Sequence, residues 1–267
     1  MDANDVARIV AERRAAQPAP PEPVRIDKLL LEVLERIQSR PAAPINPPAW
    51  FNAPTPTPER CAATDHMLRF RRIAALVSQV GRRYEKVTLR NFELETDEQR
   101  ETVAALASYG QQFREHAIQG DGVLLFGPSG TGKDHLLIGL AKLVICHWGA
   151  SVWWRYGLDL FAEARDGISS EASEVQAIRH YAKPDVLILS DPVRPGGTLT
   201  DGQADLLIRI IDKRLRECRP TWYTLNVDNG AEADARLGPA IKDRLMHGTL
   251  VRCCCWPSYR AKKARRI

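Results

Sequence analysis

Residues 122–148 read GVLLFGPSGTGKDHLLIGLAKLVICHW. An apolar strand, GVLLF (122–126), runs straight into a glycine-rich turn, and a helical pattern opens at Lys133. Gly127, four residues, Gly132 and Lys133 follow the phosphate-binding loop pattern G-x-x-x-x-G-K-[ST]. In that pattern consecutive backbone N–H groups and a helix N-terminus face an anion together, glycines let the backbone approach phosphate oxygens, and the lysine supplies a point charge. The loop Gly127, Pro128, Ser129, Gly130, Thr131, Gly132, Lys133, with Asp134 and His135 opening the helix, is therefore the candidate ATP-binding segment. Three fixed residues alone are weak evidence. Their place between a strand and a helix is what makes the reading specific.

The eighth position breaks the pattern. A Ser or Thr there would present a hydroxyl to Mg²⁺, and this chain has Asp134. The second half of such a site is an apolar strand ending in acids. Here that strand is VLILSDP (186–192), which ends in Ser190 and Asp191 where two acids are usual. The usual pair, hydroxyl on the loop and carboxylate on the strand, is thus exchanged. One hydroxyl and one carboxylate remain, with the same combined charge, so Asp134, Ser190 and Asp191 are the candidate Mg²⁺ positions. The same substitution also fits a non-hydrolysing, nucleotide-gated adaptor.

Outward from the loop the texture repeats. SVWWRY (151–156), DVLILS (185–190), TWYTLN (221–226) and LVRCCCW (250–256) read as strands. LDLFAEAR (158–165) and DGQADLLIRIIDKRLREC (201–218) read as helices. Short apolar strands alternating with helices predict an α/β fold with a five-stranded parallel sheet covered on both faces. Residues 61–118 read as mostly helical, a lead-in to an ATPase domain spanning 119–267.

Residues 1–60 differ in kind. Eleven of the chain's 18 prolines lie there, in stretches such as QPAPPEP (17–23), which predict extended linkers. Between them, residues 24–40 place Ile26, Leu29, Leu30, Val33, Leu34 and Ile37 on one helical face. A lone amphipathic helix between linkers needs a surface to bury that face, and a partner protein is favoured over the chain's own body.

The chain has 267 residues, 44% of them hydrophobic, and no apolar run near the ~18 residues that cross a bilayer. The N-terminus begins acidic and lacks the apolar core of a secretory signal. Six cysteines include the run Cys253, Cys254, Cys255, which predicts no disulfide framework and a reducing cytoplasm. Net charge is +5, and from Arg252 to Ile267 there are six Lys or Arg and no acid. Such a tail attracts nucleic-acid phosphate with little sequence preference. Trp153, Trp154, Arg155, Tyr156 and Phe161 offer aromatics mixed with charge for stacking bases, although at least half of them are expected in the core.

Past Asp191, LTDGQADLLIRIIDKRLRECRPTWYTLN (199–226) resembles a helix and the fourth strand of the DnaC/IstB-like AAA+ ATPases. RRYEKVTLRNFEL (82–94) resembles that family's lead-in, and KDRLMHGTLVRCCCWPSYR (242–260) its C-terminal end. The family comprises bacterial replicative-helicase loaders and ATP-binding helpers of insertion-sequence transposases. The resemblance implies that Asn226 is the polar residue positioning the attacking water and that Asp191 orients that water. It further implies that Arg244 reaches a neighbouring subunit's site as an arginine finger, and that Arg260 contacts the nucleotide phosphates. A homo-oligomer on DNA, handing over a replicative helicase or activating a transposase, is the implied assembly. The loader reading is preferred, because a helix on Pro-rich linkers suits a docking arm.

Overall fold

The computed structural model describes residues 58–167, 171–193 and 196–260. The amphipathic stretch 24–40, its linkers and the basic residues 261–267 lie outside the described residues. The elements that position the site are α1 (Pro58–Val80), α2 (Asp97–Gln111), α3 (Phe113–Gln119), β1 (Val123–Phe126), α4 (Lys133–Trp148) and β2 (Val152–Tyr156). They continue with α5 (Gly157–Gly167), α6 (Glu171–Ala182), β3 (Val186–Ser190), α7 (Asp201–Arg216) and β4 (Thr221–Leu225). The chain then forms α8 (Gly230–Leu237), α9 (Pro239–Met246) and β5 (Leu250–Cys253).

All five strands pair in parallel, in the order β2-β3-β4-β1-β5. Parallel strands need crossovers, and the helices supply them on both faces of the sheet, so the central strands are covered on both sides. Every residue of β3 and β4 is buried. One core lies between the sheet and α1, α2 and α4, and includes Leu76, Leu106, Leu136, Leu140 and Trp154. The other lies under α5–α9 and includes Leu160, Leu189, Leu207, Ile210 and Leu245. The helical lead-in thus shares its core with the nucleotide-loop helix. α4 is buried almost all round, which explains its continuous apolar sequence LLIGLAKLVI.

Local chemistry sets the helix starts. Thr96 and Gln99 form a reciprocal capping box at α2, and Thr200 and Gln203 form another at α7. Each satisfies two backbone donors that the first helical turn leaves unpaired. α4 has no such side-chain cap. Its first N–H groups remain turned toward the loop that precedes it.

The cysteine run departs from expectation. Neighbouring residues on a strand face opposite ways, but residues two apart share a face. Cys253 and Cys255 are joined as a disulfide with their Cα atoms 5.5 Å apart, and Cys254 is buried between them.

Candidate functional site

A cavity of about 520 Å³ opens where β1 meets α4. In this strand order the connections after β1 and β4 leave in opposite directions, which places a crevice at the C-terminal edge between them. One wall is the loop 129–132 with Lys133, Asp134 and His135, followed by Asp191 and Asn226. The facing wall comes from residues 83–99, and Trp256, Tyr259 and Arg260 complete the lining.

The loop is anchored at both ends. The Gly127 N–H donates to the Leu225 carbonyl at 3.2 Å. Thr131 Oγ1 donates to the Pro128 carbonyl at 3.1 Å. The segment after β5 supports the loop from behind. Trp256 Nε1 donates to the Thr131 carbonyl at 2.8 Å, and the Tyr259 N–H to the Gly130 carbonyl at 2.9 Å. Ser129 is exposed on the loop's outer turn. Gly132 sits at φ +91°, a conformation that favours glycine. A Cβ there would also come within 2.7 Å of the Phe92 ring.

Lys133 is buried, and its ammonium donates to the carbonyls of Gly127 (2.8 Å) and Pro128 (2.7 Å). An ammonium has three donors, so these two carbonyls do not exhaust it. Burial lowers its pKa, while Asp191, Cys254 and Asp134 pull the other way.

Asp134 and Ser190 meet. Ser190 Oγ donates to Asp134 Oδ1 at 2.9 Å. Because β4 separates β3 from β1, a second hydroxyl stands between them: Thr224, which lies 3.2 Å from Ser190 Oγ and 3.4 Å from Asp134 Oδ1. Ser190 and Thr224 are both fully buried. Burial raises the Asp134 pKa, and the hydrogen bonds from Ser190 and Thr224 and the Lys133 charge act against that rise.

Asp191 directly follows β3 at φ +46°, a strained position for a residue with a Cβ. Its N–H is held by the Thr224 carbonyl at 3.1 Å. Asn226 Nδ2 donates to Asp191 Oδ2 at 2.5 Å. Asp191 Oδ1 is buried with no hydrogen-bond partner. Burial first, and the neighbouring Asp134 second, push the Asp191 pKa up to about 6. An orphaned buried acceptor is costly, so its persistence marks a place that a ligand or ordered water completes.

Arg260 lines the cavity. Arg244 does not line it. It lies on α9, donating to Asp212 Oδ1 at 2.6 Å and to the Ala240 carbonyl at 2.9 Å. The aromatic cluster near β2 divides. Trp154 and Phe161 are core residues, while Arg155 lies over the Trp153 ring and pairs with Glu163.

Among the described residues no group of three or more His, Cys, Asp or Glu is poised to hold a metal. Two carboxylates, Asp134 and Asp191, do line the cavity beside the glycine-rich loop. That donor set suits Mg²⁺, a hard cation that takes its remaining oxygens from phosphates and water.

The family of IstB-like ATP binding proteins matches residues 60–267. The chain belongs to that family. The replicative helicase loader DnaC of Buchnera aphidicola subsp. Schizaphis graminum is 26% identical over 182 residues, covering 66% of this chain and 70% of the loader. A putative ATP-binding protein of insertion sequence IS5376 from Geobacillus stearothermophilus is 28% identical over 149 residues, covering 54% of this chain and 57% of its own. A crystal structure of the DnaC helicase loader superposes with a TM-score of 0.57 at 20% identity, covering 65% of this chain and 99% of that one. The fold is therefore that of the AAA+ ATP-binding proteins, and the glycine-rich loop is part of a nucleotide-binding chain. Among the described residues no helix is long and apolar enough to cross a membrane.

Two features of the site escape a reading of the sequence. Thr224 lies inside a buried strand and carries no spacing signal. The facing wall, residues 83–99, reads only as a lead-in, and its place opposite the loop is a matter of tertiary packing.

Proposed function

We propose that the chain binds Mg²⁺–ATP in this cavity through an exchanged pair, with Asp134 in place of the usual loop hydroxyl and Ser190 in place of the usual strand carboxylate. The observation that carries this reading is the 2.9 Å hydrogen bond from Ser190 to Asp134, formed beside a carboxylate whose buried Oδ1 lacks a partner. When bound, Mg²⁺ would offset phosphate charge against Asp134. Ser190 and Thr224 hold Asp134 in a fixed orientation. Lys133 exchanges its two loop carbonyls for phosphate oxygens. Asp191, gripped through Oδ2 by Asn226, keeps Oδ1 for a water in line with the terminal phosphate. Arg260 reaches the phosphates from the cavity wall. Arg244, outside its own chain's cavity, acts on the site of a neighbouring copy in an oligomer.

The larger role we assign is that of a helicase loader: assembly on DNA and delivery of a replicative helicase, with the segment 24–40 as docking arm and the basic C-terminus contributing salt-sensitive DNA contact. Similarity to the DnaC loader supports it. The test measures ATP hydrolysis with and without DNA, and co-elution with a replicative helicase hexamer. ATP-dependent co-elution is expected. Co-elution with a transposase instead would favour the second reading, a transposase helper, which the IS5376 relative supports. ATP binding without hydrolysis would leave the adaptor role suggested by Asp134.

A further inference from the structure

One face of α4 is committed to the wall opposite the phosphate loop. His135, Gly139 and Lys142 recur at helical spacing, and each meets the segment 84–91. Lys142 is buried, and its ammonium donates to the carbonyls of Tyr84 (2.7 Å), Glu85 (2.7 Å) and Val87 (2.8 Å). Three donors meet three acceptors, so the group has nothing left for a ligand. A Cβ on Gly139 would lie 2.6 Å from the Leu89 nitrogen and 2.9 Å from the Thr88 carbonyl carbon, so helix and segment touch backbone to backbone. His135 Nε2 lies 3.0 Å from the Thr88 carbonyl. Further along, Phe92 packs on Gly132 of the loop itself and edge-on to His135.

A nucleotide whose phosphates sit at the α4 N-terminus must extend its ribose and base away from the loop. The cavity surface available there is formed by Tyr84, Val87, Asn91 and Phe92. Tyr84 and Val87 stand on the stretch that Lys142 holds, and Asn91 and Phe92 follow it directly.

We infer that Lys142 is a positioning residue for nucleotide recognition: it latches residues 84–87 to the phosphate-loop helix and so builds the wall that receives the base. The inference rests on the nucleotide reading of the cavity proposed above. One helix then fixes both ends of the ligand, phosphates at its first turn and base wall along its flank. Charge-assisted hydrogen bonds to three carbonyls are strong enough to order a segment that has only short 3₁₀ turns of its own.

The experiment compares two probes in the full chain by calorimetry: Mg²⁺–ATP and Mg²⁺–tripolyphosphate, which keeps the phosphates and lacks ribose and base. Lys142→Met should weaken ATP by about tenfold or more while tripolyphosphate stays within about twofold. General loosening of the fold would weaken both together, and that result overturns the latch, as does an unchanged ATP affinity. If Lys142→Met fails to fold, Gly139→Ala, which keeps the lysine and forces helix and segment apart, is read with the same two probes and the same criteria. A parent chain that binds neither probe overturns the nucleotide reading itself. A parent that binds both, with no selective loss of ATP in the variants, overturns only the latch.

Discussion

The two edges of the sheet bury charge in opposite ways. At the N-terminal edge Arg214 is fully buried on α7. Its guanidinium donates to Thr221 Oγ1 and to the carbonyls of Tyr181, Pro184, Asp185 and Pro220. All five donors of the fork are used. At the C-terminal edge the buried charges are incomplete. Asp191 Oδ1 has no partner, its backbone is strained, and Asp134 presses a second carboxylate toward it. A buried charge with every donor matched staples the start of β4 to the loop entering β3. A buried pair of like charges with an orphan acceptor is a place prepared for something else. The contrast separates architecture from site without reference to any relative.

If the contrast is right, the two edges respond to different measurements. The largest effect is expected from Arg214→Ala. It removes all five of these buried hydrogen bonds, at a cost of about 3–5 kcal/mol, or on the order of 10 °C in Tm. ATP affinity of the folded fraction should not change. A large loss of affinity without loss of stability would erase the distinction.

Next comes Lys133→Ala, with the opposite signature. Loss of a charge-assisted phosphate contact should weaken ATP by ~1.5–3 kcal/mol in calorimetry. Thermal stability without nucleotide should move less than for Arg214→Ala, since Lys133 gives up two carbonyl partners against the five acceptors of that guanidinium. An unchanged ATP affinity would remove the loop from the site.

Asp191 sharpens the comparison through pH. Burial and Asp134 place its folded pKa at about 6, above the ordinary carboxylate range. A carboxyl raised in this way stabilises the fold below its unfolded pKa and loses that contribution as pH rises through the folded value. The loss for Asp191 therefore falls between about pH 4 and about pH 6. Ligand-free Asp191→Asn should be more stable than the parent at pH 7–8, on the order of 1–3 kcal/mol, with the gain vanishing near pH 4. Denaturation midpoints across pH read this directly. A gain independent of pH would mean that strain, not charge, distinguishes this edge.

The smallest change in the isolated chain is expected from Arg244→Ala, whose partly exposed pair with Asp212 adds little to folding. Its effect should appear in trans. Mixed with Lys133→Ala chains, it should recover part of the hydrolysis that each variant lacks alone. No loss of hydrolysis in the single variant would remove the finger assignment.

Much of this edge was legible in the sequence because its signals are local. GVLLFGPSGTGK announces strand, turn and helix through periodicity and glycine placement, and VLILSDP ends where its acid must lie. The exchange of Asp134 and Ser190 was readable as two departures from one pattern. Other parts depend on contacts far apart in the chain. Thr224 gains its place only from the strand order, which sets β4 between β3 and β1. The helices 171–182, 230–237 and 239–246 carry weak local signals, two of them being only eight residues long with little room for periodicity. The segment 82–94 has no repeating pattern, and its residues 84–87 are held by Lys142 from 55 or more residues away. The pairing of Cys253 with Cys255 depends on two residues that share a face across Cys254, which the run of three cysteines does not announce.

The central claim is that Asp134 and Ser190 form one exchanged metal-binding pair. A double-mutant cycle on Mg²⁺–ATP affinity and hydrolysis tests it most directly, with Asp134→Thr, Ser190→Asp and both together. Each single change unbalances the pair, leaving two hydroxyls or two extra carboxylates beside Asp191, while the double change restores hydroxyl on the loop and carboxylate on the strand. The exchanged pair predicts that both single variants fall below the double, with a coupling of at least about 1 kcal/mol. Effects that simply add would show that the two positions do not share a metal site, and would contradict the claim.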